Sequence, residues 1–288
     1  MIRYSVIVPH FESLDVLPRA IASVPERADI EVLVIDNSPK PIVPSLFPER
    51  KNVRILYSPY GKGAGAARNV GLENAKGQWL LMLDADDFFT PDAFTTMDQN
   101  ADTNADIVFF YAADYNSEAQ QVRGRMDSTN ILIDDYLQSH NDAGLRYGWS
   151  SPCAKMIRRS MVEEHTIRFD ETHVANDMLF SVKTGYWAKQ VDTSSETIYC
   201  ATIREGSLTQ IASLSNLNGR IEATVRFNAF LKAHGIREQR KSIMYHIYTI
   251  AHNYGFVEAI KALGHSIRMG NNPFIGCTRW IQTAKQND

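Results

Sequence analysis

The chain has 288 residues, of which 44% are hydrophobic and 22% charged; that is enough to bury a large core, and it excludes a disordered protein. A formal charge of −3 singles out no partner, but its distribution is uneven: from Arg204 onward there are eleven Lys/Arg against five Asp/Glu. A basic last third after two acidic thirds is compatible with docking on an anionic membrane or on nucleic acid, and equally with solvated helix faces.

Through the first half, short β-rich runs alternate with helical patterns, which predicts βαβ units and a largely parallel sheet. YSVIVP (residues 4–9) is strand one, and SLDVLPRAIASV (13–24) is a helix opened by Ser13. IEVLVID (30–36) is strand two, ended by the turn formers NSPKP, and VRILYS (53–58) is strand three. GKGAGAARNVGLENAKG (61–77) joins a glycine loop to an Ala-rich helix stopped by Gly77. QWLLMLD (78–84) is strand four; Thr90 and Pro91 then supply a cap and a first helical position, with Asp92 a first-turn acid. DIVFFYAA (106–113) is a further strand. RRSMVEEH (158–165) and NDMLFSVKTGYWAKQ (176–190) read as helices, TIYCATI (197–203) as a strand, and from about Leu214 the pattern is wholly helical.

Cys153, Cys200 and Cys277 are too few and too far apart for a disulfide framework or a Cys-x-x-Cys metal site. No apolar run approaches the ~18 residues of a membrane span. The expected setting is therefore cytoplasmic, at most peripheral at the inner membrane. No H-x-x-x-H pair supports zinc, and His10, beside the polar end of strand one, has a structural role by default.

Three carboxylates, Asp84, Asp86 and Asp87, gather where strand four leaves the core. Like charges that close raise each other's pKa and cost stability unless something compensates them, and a cation is the natural compensator. Alternation along an extended chain sends Asp84 and Asp86 to one side. That suits Mg²⁺ or Mn²⁺ held by one or two carboxylates, with water and phosphate oxygens completing the shell. The plainer alternative is a solvated acidic turn before a helix. Ligands of open α/β sheets sit outside the carboxyl ends of the strands, and three such ends carry unusual polar residues: PHFES, DNSP and DADD.

Four segments, SVIVPHFES, EVLVIDNSP, KGAGAARNVGLENAKGQWLLMLDADD and RFDETHVANDMLFS, follow one another in the order of the family 2 glycosyltransferases, and over residues 4–209 the chain resembles that family. The resemblance implies an α/β chain with the GT-A fold: a Rossmann-like, mostly parallel sheet flanked by helices over residues 1–210, followed by a C-terminal helical extension over 211–288. It also implies roles. Pro9 and the following residues 10–12 match the segment lining the base and ribose of a sugar nucleotide, with Glu12 as the polar contact. Asp36 matches an acid that hydrogen-bonds the base; Asn37 replaces the second acid often found next, which leaves the base open, because an amide offers donors where a carboxylate only accepts. Arg68, with Asn69 beside it, matches a helix-borne arginine that contacts base or phosphates. Asp84 would approach the ribose or a metal-bound water, Asp86 would bind Mn²⁺ or Mg²⁺, and Asp87 would support it or cap the turn.

On the same resemblance Asp177 is the candidate base of an inverting, in-line displacement, and Asn176 stands where the family often has Glu. Asn176 is placed with Trp149 on the acceptor side; the Trp149 ring would stack on a sugar or, alternatively, pack in the core. Arg204, in IREGSLT, matches a segment that closes over the diphosphate. The implied partners are a nucleotide-sugar donor, most commonly UDP-linked in this family, and a saccharide or lipid-linked acceptor of cell-surface polysaccharide synthesis, with no nucleic acid. The basic helical end, including Phe274, Ile275 and Trp280, would suit peripheral membrane contact or packing on the core. Two other classes stay open at this point. A nucleotidyltransferase is disfavoured because its Gly-rich loop usually follows strand one, whereas GKGAGAARN follows strand three. A noncatalytic sugar-nucleotide or glycan-binding module is disfavoured by Asp86 and Asp177 and kept alive by Asn176.

Overall fold

In a computed structural model, residues 1–43, 46–116, 118, 121–125, 127–203 and 212–275 are described. They form two compact units: Met1–Thr172 with Phe180–Arg204, and His173–Leu179 with Glu205–Asp288.

The first unit opens β1 (Tyr4–His10), α1 (Leu17–Ala22), β2 (Ile30–Asp36), β3 (Val53–Tyr57), α2 (Gly63–Asn74), β4 (Trp79–Met82), β5 (Phe88–Phe89) and α3 (Ala93–Asn100). It continues with β6 (Ile107–Asn116), β7 (Gln121–Arg125), α4 (Asp127–Ser139), a π-helical turn (Gly144–Gly148), β8 (Lys155–Arg158), α5 (Arg159–Glu164), α6 (Met178–Trp187, whose first two residues fall in the second unit) and β9 (Val191–Ile203). The strands make one mixed sheet in the order β3-β2-β1-β4-β8-β6-β9-β5, with β7 paired to β6. β3, β2, β1 and β4 are parallel, β8 is antiparallel to both its neighbours, and β6 and β9 run parallel. All of β2 and nearly all of β1 is buried, the signature of strands covered on both faces. Helix α2 lies close on this layer because Gly71 has no side chain: a Cβ there would stand 2.4 Å from Ile7 Cγ2.

The predicted elements differ from the observed ones mainly at their ends, and strand four stops at Met82, short of Asp84. The first helix starts at Leu17, not Ser13, with Pro18 in its first turn, where a missing N–H costs nothing. Thr90 does not cap α3; its hydroxyl donates to Thr197 O at 2.8 Å on β9. The strand expected over 197–203 begins at Val191, because β6 offers a ladder to the polar stretch: Ile107 faces Val191 and Phe110 faces Ser194.

In the second unit, α7 (Leu214–Ala233), α8 (Met244–Tyr254) and α9 (Phe256–Arg268) pack around Leu217, Ile221, Val225, Ile247 and Ile250. Ser213 caps α7 by accepting from Asn216 N at 3.2 Å. The segment His173–Leu179 approaches α7 at Gly219, where a Cβ would lie 2.7 Å from Val174 Cγ2.

Candidate functional site

The parallel register brings the ends of β1, β2 and β4 to one edge of the first unit: His10 stands opposite Asp36, and Leu83 N donates to Ile7 O at 3.1 Å. The chain then turns at 84–87, closed by Asp87 N donating to Asp84 O at 3.0 Å. The three acids of this turn meet different surroundings. Asp84, its side chain 38% exposed, accepts from Arg68 Nη2 at 2.6 Å. Asp86 is partly exposed. Asp87 is buried; Tyr199 Oη donates to one of its oxygens at 2.5 Å and Thr202 N to the other at 2.7 Å.

Asp87 therefore holds the corner together, fastening the acidic turn to β9. Burial, together with the charges of Asp84 and Asp86, pushes its carboxyl well above the usual carboxylate range. Burial likewise pushes up the neighbouring Tyr199 phenol and Cys153 thiol, so both stay protonated at neutral pH. Tyr199 Oη also accepts from Asp84 N at 3.3 Å.

Arg68 is 6% exposed on α2, with its guanidinium 5.4 Å from the Phe169 ring. Asn69 completes that contact with a two-way amide bond, donating to Phe169 O at 3.0 Å and accepting from Phe169 N at 2.8 Å. Helix α2 thus carries a fixed positive charge to the acid corner. Its entry turn uses Gly61 and Gly63, both at positive φ (80° and 77°), where side chains are strained.

Asp36 is 2% exposed, and both its oxygens are engaged: Ser38 N at 3.1 Å and His10 Nδ1 at 2.9 Å on one, Ile42 N at 2.8 Å on the other. Burial alone would raise its pKa, but these hydrogen bonds outweigh it and hold the carboxyl below its ordinary value. His10 Nε2 accepts from Ser13 N at 3.2 Å, which places the proton on Nδ1, facing Asp36. The expected base contact is in this structure a brace for the loop after β2. Asn37 has a positive reason to be an amide: it donates to Ser58 Oγ at 2.9 Å and to Pro59 O at 2.6 Å, which a carboxylate cannot do. Pro9 ends β1 half-buried, and Glu12 is exposed at φ 45°, its N–H donating to Ser38 Oγ at 2.9 Å.

Sequence reasoning passed over an aromatic pair at the same edge. Phe11 and Tyr60, 50% and 65% exposed, lie nearly parallel at 12° with centroids 6.4 Å apart. Large rings left open beside polar strand ends were the available signal. It also missed Tyr199, Thr202 and Arg19, which lie outside the motifs.

The residues expected on the acceptor side and as the base divide between the two units. Trp149 is 2% exposed and tilted against Phe109 at 5.5 Å; of the two roles foreseen for it, this is core packing, and no ring face is open to a sugar. Asn176 is buried and Asp177 partly exposed; they belong to the second unit, directly before α6, after Ala175 at φ 51°. Asp177 acts electrostatically on Lys241 of the same unit. The Lys241 backbone is clamped by Asn228, and its ammonium lies 4.9 Å from the Phe227 ring. Arg204 lies outside the described residues. Among the described residues, no group of three or more His, Cys, Asp or Glu is arranged to hold a metal ion by itself.

Residues 5–166, more than half of the chain, match the family described as Glycosyl transferase family 2. The succinoglycan biosynthesis protein ExoO of Rhizobium meliloti (strain 1021) is 26% identical over 252 residues, covering 80% of this chain and 68% of that protein. The putative glycosyltransferase EpsH of Bacillus subtilis (strain 168) is 24% identical over 63% of this chain and 55% of its own length. Among solved structures, Staphylococcus aureus TarS 1–349 in complex with UDP-GlcNAc superposes with TM-score 0.70 at 21% identity, over 93% of this chain and 81% of that one. The mannosyltransferase PcManGT from Pyrobaculum calidifontis, in complex with GDP-Man and Mn²⁺, gives 0.59 at 15% identity, over 99% and 80%. At such identities the superpositions speak for the fold alone, and that fold is GT-A. With its profile matched from the first strand through α5 and its sheet built on the same plan, the chain belongs to glycosyl transferase family 2 and is a glycosyltransferase.

Proposed function

We propose that this enzyme transfers a sugar, with inversion at the anomeric carbon, from a UDP-linked donor to a saccharide or lipid-linked acceptor in the synthesis of a surface polysaccharide. The observation that carries this reading is the acid corner, where Arg68 and Tyr199 fix Asp84, Tyr199 and Thr202 hold Asp87, and Asp86 stays partly exposed. The relatives' names support polysaccharide assembly, and the TarS complex with UDP-GlcNAc supports the uridine carrier.

The donor set fits a hard divalent ion. Asp86 and the Asp84 oxygen turned from Arg68 are the oxygen ligands that Mg²⁺ or Mn²⁺ would take, the remaining positions falling to water and diphosphate. When bound, that ion neutralises charge developing on the departing diphosphate. The chain's own residues do the rest. Arg68 holds Asp84 in place, Glu12 and the Phe11–Tyr60 pair receive the ribose and the planar base, and Asp177 takes the proton of the acceptor hydroxyl as its oxygen attacks the anomeric carbon. The anomeric C–O bond breaks with its electron pair leaving on the diphosphate. Incubation with a panel of sugar nucleotides and Mn²⁺ is expected to release nucleoside diphosphate slowly without acceptor, fastest from a UDP-sugar. Release of pyrophosphate from a nucleoside triphosphate, or binding without turnover, would contradict the proposal.

We further place the reaction at the cytoplasmic face of the inner membrane. No helix among the described residues is long and apolar enough to cross a membrane. The second unit nevertheless exposes Phe256 and Ile260 on α9, at 80% and 68%, and Tyr245 and Tyr248 on α8, within the basic third of the chain. Aromatic and aliphatic side chains among basic ones suit the interface of an anionic bilayer. Co-flotation with vesicles containing phosphatidylglycerol is expected for the wild type and to fall several-fold for Phe256→Asp/Ile260→Asp. Equal recovery of the two proteins, or of wild type with neutral vesicles, would remove the membrane from the proposal.

A further inference from the structure

Arg19 sits on α1, outside every motif that points to the donor site, yet its guanidinium reaches the acidic turn. Nη2 donates to Asp86 O at 2.5 Å and to Thr202 Oγ1 at 2.8 Å. Thr202 Oγ1 in turn donates to the same Asp86 carbonyl at 2.5 Å, while Thr202 N–H is taken by Asp87. One carbonyl of the turn therefore receives two convergent donors, from segments 67 and 116 residues away in the chain.

The guanidinium is itself fixed. Its carbon lies 4.8 Å from the Phe88 ring centroid and 4.9 Å from that of Tyr115, and those two rings meet edge to face at 5.0 Å. A planar cation held by two ring faces loses little further freedom when it makes its hydrogen bonds. Its Nε is buried with no hydrogen-bond partner, a cost that simple packing between α1 and the sheet would not require. Side-chain direction follows backbone dihedrals. Gripping the Asp86–Asp87 peptide through its oxygen thus narrows the rotamers open to the Asp86 carboxylate.

We infer that Arg19, acting through the Asp86 carbonyl and Thr202, is a positioning residue that aims the Asp86 carboxylate at a cation-bearing diphosphate. This rests on the role proposed above for Asp86. Outer groups that orient a ligand typically change metal affinity by about 10–100-fold when removed.

The test is Mn²⁺ affinity of the protein with UDP bound, followed by the electron paramagnetic resonance of free Mn²⁺, beside the melting temperature. Arg19→Met keeps the stem and loses both bonds; it is expected to weaken Mn²⁺ at least tenfold. Thr202→Val should do the same, Thr202→Ser should restore near-wild-type affinity, and Arg19→Lys, which reaches one acceptor, should fall between. Unchanged Mn²⁺ affinity in Arg19→Met and Thr202→Val, whatever their melting temperatures, would make the contact merely structural. Should Arg19→Met not fold, the Thr202 pair and Arg19→Lys decide by the same readout. Asp86→Ala separates the two ideas: if it loses Mn²⁺ while Arg19→Met does not, only this inference fails, whereas if it keeps Mn²⁺ the reading of Asp86 itself fails.

Discussion

Asp177→Asn is expected to lower kcat by a factor on the order of 10³, within the range general-base catalysis supplies, and to leave donor affinity nearly unchanged. The amide has the carboxylate's shape, so packing before α6 is preserved, but it cannot accept a proton from the acceptor hydroxyl. Lys241, in the same unit, has its ammonium pKa lowered by burial, while the negative charge of Asp177 works in the opposite direction. Steady-state kinetics paired with calorimetric donor titration separates the two effects: kcat falls and the donor Kd stays. Full turnover by the variant would take the base role away from Asp177, and a large loss of donor affinity would mean that the residue serves binding instead.

The parallel half of the sheet was legible because β1, β2 and β4 are short apolar runs ending in polar residues, and such strands need no neighbour to be recognised. In the other half β6 and the end of β9 were legible too, but β8 was not. β8 begins with Lys155, in a stretch given no regular structure, and ends with Arg158, expected at the head of a helix; in the structure each cation lies against an aromatic face, Lys155 5.0 Å from Phe109 and Arg158 3.8 Å from Trp79. Helix α4 was missed for a similar reason: Asn130, fully buried, looks like a helix interrupter until its amide is seen bridging the N–H and C=O of Ala112 at 3.0 and 2.8 Å. The site divides along the same line. The i, i+2 spacing pointed to the acid turn and the family resemblance to Arg68, which meets that turn at Asp84. Neither revealed which acids are used internally, because the backbone N–H groups on Asp36 depend on the shape of the loop after β2 and the partners of Asp87 lie on β9, far away in sequence.

Asp86→Ala is expected to lower kcat by about 10²–10³, the size seen when one stabiliser of developing negative charge is removed, and to raise the Mn²⁺ concentration needed for half activity by about tenfold or more. The same change also removes a negative charge that presses on Asp87. Burial and the charges of Asp84 and Asp86 push the Asp87 carboxyl upward, so the folded state holds that proton more tightly than the unfolded chain. Such a group favours folding below its unfolded pKa, and the advantage shrinks as pH rises toward its folded pKa. Deleting the Asp86 charge relieves part of that repulsion at neutral pH. Asp87→Ala should lose stability by about 1–3 kcal/mol as Tyr199 and Thr202 lose their acceptors. Thermal melts in chelator beside Mn²⁺ titrations of activity distinguish the two acids. A destabilised Asp86→Ala with an unshifted Mn²⁺ requirement would mean that the corner serves the fold alone, whereas stability kept and activity lost marks repulsion retained for the sake of the donor site.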